Sequence, residues 1–455
     1  MNRAAAERMG DLHDAMAASG YRGTDLERYL VRLLFCLFAE DTDIFPRAAF
    51  MNFVRLHAGP RAQDLGAKLH ELFEVLDTPE DQRQTTLPAH LREFPYVNGD
   101  LFKGPLRTLA FSEPMRELLL NATVLDWGQI SPAIFGSLFQ SVMDPAARRT
   151  QGAHYTSEQN ILKALGPLLL DELRAELAHL ATLAATTQRT NRLRELQNKL
   201  GGLRLLDPAC GCGNFLVVAY RELRLLELEL LGLRYPEGEV IQFPLGPETE
   251  VLLNADQMHG IEVDEFPARI AEVALWLVDH QMNQRFSVRF GHYLARIPLK
   301  RGAHIRHANA LQVDWNTVLP AAQATHVVGN PPFVGKQYQT ASQKADVARI
   351  FQGVKGASAL DYVSCWFLKT AEYLCSPEEP KGRAALVSTN SITQGEQVSI
   401  LWGPILNRFA MKLHFGHQTF QWRNEGRKNA AVHCIIVGFG PQEIANKRIF
   451  LYDSP

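Results

Sequence analysis

The sequence predicts an α/β protein with a doubly wound, mostly parallel sheet preceded by an all-helical domain, and three observations carry that reading. Up to about residue 145, apolar residues recur at helical spacing. Beyond Met143-Asp144-Pro145, short apolar runs rich in β-branched residues alternate with helical segments, the rhythm of parallel strands joined by helices. One such run leads into Asp207-Pro208-Ala209-Cys210-Gly211-Cys212-Gly213-Asn214-Phe215, which reads as a strand end, a glycine turn and a helix start. Residues 1–145 are therefore expected to form a helical connector, and residues 146–455 the sheet-bearing domain.

In the helical part, Leu26, Leu30, Leu33, Leu34, Leu37 and Phe38 mark a helix within Thr24 to Phe45. Amphipathic stretches follow through Leu65 to Leu76 and Met115 to Leu120. The acidic residues of Ala39-Glu40-Asp41-Thr42-Asp43 read as a solvated helix end. No Asp followed by Glu-x-Lys on an alternating strand pattern stands here, so a fused metal-dependent nuclease, and with it cleavage, is not expected.

Bulk composition bounds the function. With 455 residues, 46% hydrophobic and 21% charged, the chain is long enough for two or three domains with real cores, which excludes a disordered protein. Lysine plus arginine, 47, nearly balances aspartate plus glutamate, 49, so any nucleic-acid surface must be local. Cys36, Cys210, Cys212, Cys365, Cys375 and Cys434 make neither a disulfide framework nor a paired zinc knuckle, and no metal is expected. No apolar run reaches the roughly 20 residues of a membrane helix, and the start lacks the apolar stretch of a secretory signal. The expected location is cytoplasmic, without a membrane partner.

The candidate strands are Leu203 to Leu206, His259 to Val263, one ending at His307, Thr325 to Val328, Ala384 to Val387, Leu413 to Phe415 and Val432 to Val437. Ligands gather at the carboxyl ends of such strands. At the first of these ends, Gly211 and Gly213 let the backbone bend sharply and approach a ligand closely. A carboxylate at the mouth, Asp207, does not suit a phosphate. It suits a cation, and S-adenosylmethionine carries an ammonium and a sulfonium. Gly260-Ile261-Glu262-Val263-Asp264 supplies a second acidic strand end, with Glu262 placed to accept from both ribose hydroxyls. Asn309 and Ala310, after His307, suit the cofactor's adenine ring. Upstream, Gly152-Ala153-His154-Tyr155-Thr156-Ser157-Glu158 offers Thr156 or Ser157 as cap of a helix starting near Gln159. The basic stretch from Ala181 to Lys199, with Arg189, Arg192 and Arg194, reads as a solvated helix face.

The strand Thr325 to Val328 runs through Gly329 into Asn330-Pro331-Pro332-Phe333. Two prolines stiffen the backbone and donate no N–H, which leaves nearby carbonyls free to face a ligand. An exocyclic amine on a nucleobase is a poor nucleophile because its lone pair is delocalised into the ring. Hydrogen bonds from its two N–H groups to the Asn330 side-chain oxygen and the Pro331 carbonyl favour a pyramidal nitrogen and stabilise the positive charge that develops on it. Phe333 is placed to stack on a base that has left the duplex.

These segments, over roughly residues 130 to 440, resemble the amino-methyltransferases that modify adenine in DNA. Gly152 to Glu158, with His154, Tyr155 and Thr156, is similar to their tenth motif, Asp207 to Phe215 to their first, Glu262 to Asp264 to their second, Asn309-Ala310 to their third and Asn330 to Phe333 to their fourth. The tenth motif precedes the first, as in the gamma class. Phe135 to Gln140, Arg148 to Thr156 and Phe420-Gln421-Trp422-Arg423-Asn424-Glu425 more particularly resemble the MmeI-like type IIL restriction and modification family, in which a helical connector precedes the methyltransferase. The resemblance implies a seven-stranded sheet of the S-adenosylmethionine-dependent, Rossmann-like class I type, transfer of a methyl group to adenine N6, and double-stranded DNA as partner. It also implies an eighth-motif aromatic near the flipped base, from Phe420 or Trp422, with a packed core pair as the alternative.

The pattern departs from that family in lacking a nuclease ahead of the helical region and in leaving little after residue 440 for sequence recognition, so a target recognition domain is expected to be separate or missing. Rival readings are a methyltransferase acting on release-factor glutamine or ribosomal RNA guanine, and a non-catalytic scaffold of a restriction system; Asn330 also leaves cytosine N4 open. Arg296, Lys300, Arg301 and Arg306, and Arg423, Arg427 and Lys428, are the candidate phosphate contacts.

Overall fold

A computed structural model describes residues 2–57, 59, 62–97, 101–104, 106–133, 156–235, 246, 249–292, 294, 302–422 and 432–452. The helical part holds α1 (Asn2–Ala18), α2 (Thr24–Asp41), α3 (Ala49–Leu56), α4 (Leu65–Asp77), α5 (Ala89–Arg92) and α6 (Glu113–Ala122). The six apolar positions that marked α2 are all buried. The expected helices thus form, and α1, α3 and α5 are additional ones.

The expectation of a solvated helix end at Ala39 to Asp43 holds for the exposed Asp41 and Asp43 and fails for Glu40. Glu40 is buried, and its Oε1 accepts from the backbone of Phe50 (2.7 Å) and Met51 (3.0 Å), the opening N–H groups of α3. Asp41 Oδ2 accepts from Trp127 N at 2.8 Å. The helix end is acidic because it satisfies orphan donors of neighbouring segments, a job that a sequence reading assigns to water.

The remainder adds α7 (Glu158–Leu165), α8 (Asp171–Thr182), α9 (Thr187–Gly201), β1 (Leu205–Asp207), α10 (Asn214–Arg234), β2 (Met258–Glu262), α11 (Glu265–Phe290), β3 (His304–His307), β4 (His326–Gly329), α12 (Ala341–Ile350), α13 (Ser364–Cys375), β5 (Arg383–Thr389), α14 (Gln397–Gly403), β6 (Lys412–Trp422), β7 (Val432–Gly440) and β8 (Arg448–Phe450). A five-residue π-helical turn, Gly166–Leu170, joins α7 to α8.

One sheet runs in the order β3-β2-β1-β4-β5-β7-β6-β8. Every pair is parallel except those of β7, which is antiparallel to β5 and β6. Among the described residues, eight strands are present against the seven expected. The extra one, β8, is a short edge strand whose mostly exposed Arg-Ile-Phe lacks the apolar run that identified the others. Consecutive residues of the inner strands point into two different cores. Val328, Ala385, Val387 and Ile436 face the core that includes α7 and α10, while Val327, Ala384, Leu386, Ile435 and Val437 face the core that includes α13 and α14. A sheet buried on both faces explains why its strands read as continuous apolar runs.

The first of these cores continues without a break into the helical part. Phe35 of α2 stacks on Trp276 of α11 at 5.4 Å. His280 Nε2 and Gln284 Nε2 both lie 2.6 Å from the Thr42 carbonyl, and Gln281 Nε2 donates to the carbonyls of Gly128 and Ile130. Under this contact, the fully buried Arg224 of α10 bonds Asp279 (2.9 Å) and Asn283 (3.0 Å) of α11.

The basic stretch that reads as a solvated face is α9, and part of it is committed within the chain. Lys199 pairs with Glu172 and Glu176 of α8, and Arg189 donates to the Leu180 carbonyl.

Candidate active site

The carboxyl ends of β1, β2, β3 and β4 lie side by side in the sheet, which brings Asp207, Glu262, His307 and Gly329 to one edge. Asp207 is buried, and its Oδ1 accepts from Ala209 N at 3.0 Å. Burial pushes its carboxyl up to about 8; the Ala209 N–H opposes the shift and neighbouring Glu262 adds to it. A buried carboxyl of this kind is set to ionise against an incoming cation.

The turn that follows is built on its glycines. Gly211 and Gly213 have φ of 53° and 81°, in the left-handed region. A Cβ on Gly213 would stand 2.9 Å from Ala271 Cβ of α11, so that glycine also serves helix packing. A Cβ on Gly211 would meet nothing within 4 Å and would project into open space at the mouth of the turn. Glu262 bridges the site: its Oε2 accepts from Gly211 N (2.9 Å) and its Oε1 from Asp264 N (3.0 Å). Burial pushes this carboxyl up to about 7, against the bonds from Asp264 and Gly211. Asp264 is the cap position of α11, with no side-chain cap bond.

Other residues singled out in this loop serve packing. Cys210 and Cys212 are buried, and burial raises both thiols. Cys210 fits because β2 has Gly260 beneath it, where a Cβ would lie 2.7 Å from the sulfur. Phe215 is buried in the core under the loop. Pro208 is buried too, and its carbonyl accepts from the Trp366 indole at 3.0 Å, an anchor that no sequence pattern announced.

After β3, Asn309 Oδ1 accepts from Leu311 N at 2.9 Å, closing a local turn, and its Nδ2 donates to Asp346 of α12 at 3.3 Å. Ala310 is buried, with its carbonyl held by Trp315 Nε1 (2.8 Å) and Lys369 Nζ (2.7 Å).

The Asn330 segment leaves β4 beside this edge. Gly329 is required there, because a Cβ would approach Asp207 Oδ1 to 2.4 Å. Asn330 Nδ2 donates to Thr156 Oγ1 at 3.0 Å, which turns the amide nitrogen toward Thr156 and makes the oxygen its other arm. Pro331 is buried, and Phe333 is half-buried where it packs against both cores. Thr156 precedes the cap position of α7, Ser157, whose side chain makes no cap bond. His154 and Tyr155 lie outside the described residues, as do Arg423, Arg427 and Lys428.

The expected aromatic contact to a flipped base is corrected for Phe420. This ring is 3% exposed and packs under the Lys163 ammonium, 4.1 Å from its centroid, and against Tyr452 at 5.3 Å. Phe420 is a packed core residue that faces α7, the alternative weighed from the sequence. Trp422 closes β6, and its side chain lies outside the described residues. Arg306 donates to Thr317, while Arg296, Lys300 and Arg301 lie outside the described residues. Among the described residues, no cluster of metal-ligating side chains occurs, and no helix is long and apolar enough to cross a membrane.

Comparison with known proteins matches this layout. The family described as "MmeI, DNA-methyltransferase domain" matches residues 183–452, and that described as "MmeI, helicase spacer domain" matches residues 24–102. DNA methyltransferase A of Bacillus subtilis is 39% identical over 462 residues, which is 99% of this chain and 50% of the relative. A putative type II restriction enzyme and methyltransferase of Methanocaldococcus jannaschii is 25% identical over 290 residues, 54% of this chain and 24% of its own length. The solved structure of the type IIL restriction-modification enzyme MmeI in complex with DNA is 52% identical, with a TM-score of 0.88, over 100% of this chain and 59% of MmeI. The chain therefore spans about half the length of DNA methyltransferase A. Because the methyltransferase match takes in the glycine turn, both acidic strand ends and the Asn330 segment, and runs over more than half of the residues, the chain belongs to the MmeI DNA-methyltransferase family.

Proposed function

We propose that this chain transfers the methyl group of S-adenosylmethionine to the N6 of adenine in double-stranded DNA, as the modifying part of a restriction-modification or phage-defence system. The observation that carries the reading is the seating of Asn330 and Pro331 directly after the strand that packs on Asp207, with the Asn330 amide held by Thr156. Family membership supports the DNA substrate.

The residues fit the cofactor. Gly211 leaves open space where a side chain would fill the cradle, and Asp207 lies buried beside it with a carboxyl poised to ionise against an ammonium. When bound, S-adenosylmethionine supplies an electrophilic methyl group on a sulfonium. Asp207 would take the ammonium through the loop of Pro208 to Gly213, Glu262 would exchange its bond from Gly211 for the ribose hydroxyls, and Asn309 and Ala310 would line the adenine. Asn330 Oδ1 and the Pro331 carbonyl accept the two amine hydrogens of the target base, which localises its lone pair and stabilises charge as it builds on nitrogen. Phe333 stacks on the base, and Pro332 keeps the segment stiff. Trp422, Arg423, Arg427 and Lys428 are the candidate DNA contacts, and a target recognition domain would supply site choice.

The test is to incubate the purified chain with methyl-labelled S-adenosylmethionine and unmethylated genomic DNA beside Asn330→Ala. Label on adenine N6 that vanishes in the variant is the expected result. Absence of cofactor binding by calorimetry would overturn the reading, and label on cytosine would overturn its adenine specificity.

A further inference from the structure

Asp346 is a buried carboxylate on α12, a helix whose sequence announces no chemistry. Four side chains converge on it. Arg349 (2.6 Å) and Gln312 (3.1 Å) donate to Oδ1, while Tyr362 (2.9 Å) and Asn309 (3.3 Å) donate to Oδ2. Burial alone would push the carboxyl up, but these donors hold it below the usual carboxylate range, so it stays ionised and acts only as an acceptor. Arg349 also reaches back to the Leu311 carbonyl at 2.7 Å, which ties α12 to the turn at the end of β3.

An asparagine amide can present either its oxygen or its nitrogen, and this one is fixed twice over. Reversing the Asn309 amide would point its oxygen at the Asp346 carboxylate and its nitrogen at the Leu311 N–H, losing both bonds. The oxygen, which accepts from Leu311, keeps a second lone pair. Asn309 itself is half-buried at the strand-end edge that carries Asp207 and Glu262.

We propose that Asp346 is a positioning residue that sets the donor and acceptor sense of the Asn309 amide, so that the site accepts from the 6-amino group of a purine and rejects a 6-oxo purine. The inference rests on the cofactor reading above. It assigns adenine selectivity within the cofactor to a side chain that does not itself touch the ligand.

The test measures binding of S-adenosylhomocysteine and of its deaminated form, S-inosylhomocysteine, by calorimetry. The unsubstituted chain is expected to favour the adenosyl form by about tenfold or more, since a site built to accept a hydrogen bond rejects a ligand that lacks the donor. Asp346→Asn puts an amide among the same donors and leaves only the Leu311 N–H to fix the Asn309 amide, so the ratio should fall by about fivefold, the worth of one hydrogen bond. Adding Asn309→Asp to that variant restores a fixed acceptor at position 309, now with a donor at 346, and should recover the preference. Tyr362→Phe removes a bond to Oδ2 without changing its sense, so it should lower the melting temperature and leave the ratio intact. Equal weakening of both ligands by Asp346→Asn, with the ratio kept, would overturn the inference alone. Failure of the unsubstituted chain to bind either ligand would overturn the cofactor reading and this inference with it.

Discussion

Gly329 at the end of β4 and Asp207 at the end of β1 are in such close contact that a Cβ on the glycine would stand 2.4 Å from the carboxylate oxygen. The segments proposed to hold the target base and the cofactor thus share one wall. Gly329→Ala should displace Asp207 and Asn330 together, destabilise the fold by about 1–3 kcal/mol as overpacking does, and weaken cofactor and catalysis in parallel. Thermal unfolding and calorimetry on the same preparation check this; intact cofactor affinity would mean that the loop yields without cost.

Thr156 holds the Asn330 amide from a position 174 residues earlier in the chain. Thr156→Val keeps the shape and removes the hydroxyl, with an expected loss of about fivefold in the methylation rate, the worth of one hydrogen bond of roughly 1 kcal/mol. Thr156→Ser should restore the rate. Single-turnover methylation separates this from any change in DNA affinity.

Asp207 and Glu262 are raised to about 8 and about 7. A carboxyl raised on folding holds a proton that the unfolded chain releases, so its stabilising contribution is full below the ordinary carboxylate range and is lost as pH climbs through 7 and 8. Between pH 5.5 and 8.5, the melting temperature of the ligand-free protein should fall more steeply than that of Asp207→Asn. A cationic ligand reverses the preference. Cofactor affinity should rise by about tenfold from pH 6 to pH 8, with proton release measurable by calorimetry in buffers of different ionisation enthalpy.

The Arg224–Asp279 pair has no solvent to fall back on, since Arg224 is fully buried between α10 and α11. Asp279→Ala removes one carboxylate from the guanidinium, which keeps Glu227 at 3.5 Å and Asn283 at 3.0 Å, and should cost about 1.5–3 kcal/mol in urea unfolding, more than breaking an exposed pair such as Lys381 with Glu379.

What the sequence disclosed and what it hid follow from how each residue works. The placement of Asp207, Gly211, Glu262 and the Asn330 segment at strand ends is legible because each role proposed for them depends on the residue's own type there, and the strands are legible because two buried faces make them continuous apolar runs. Glu40 and Trp366 are bonded to partners outside their own helices, and Asp346 to three such partners, and such side chains look like ordinary helix residues until the fold brings the partners together. Phe420 could be read as a base contact or as a packed core residue for the same reason: an aromatic near a strand end carries no mark of which way it faces, and here Lys163 and Tyr452 claim it. The mostly exposed β8 lacks the pattern that a buried strand would show.

The stacking of Phe35 on Trp276, with the Thr42, Gly128 and Ile130 carbonyls capped from α11, bears on how such proteins can be recombined. A seam of this kind makes the helical part and the catalytic part poor candidates for independent exchange between relatives. A chimera joined between α6 and α7 would have to inherit positions 276, 280, 281 and 284 together with their partners, or leave bare carbonyls in a dry contact. Inheritance across this seam should therefore run in blocks, with the two parts diverging as one unit.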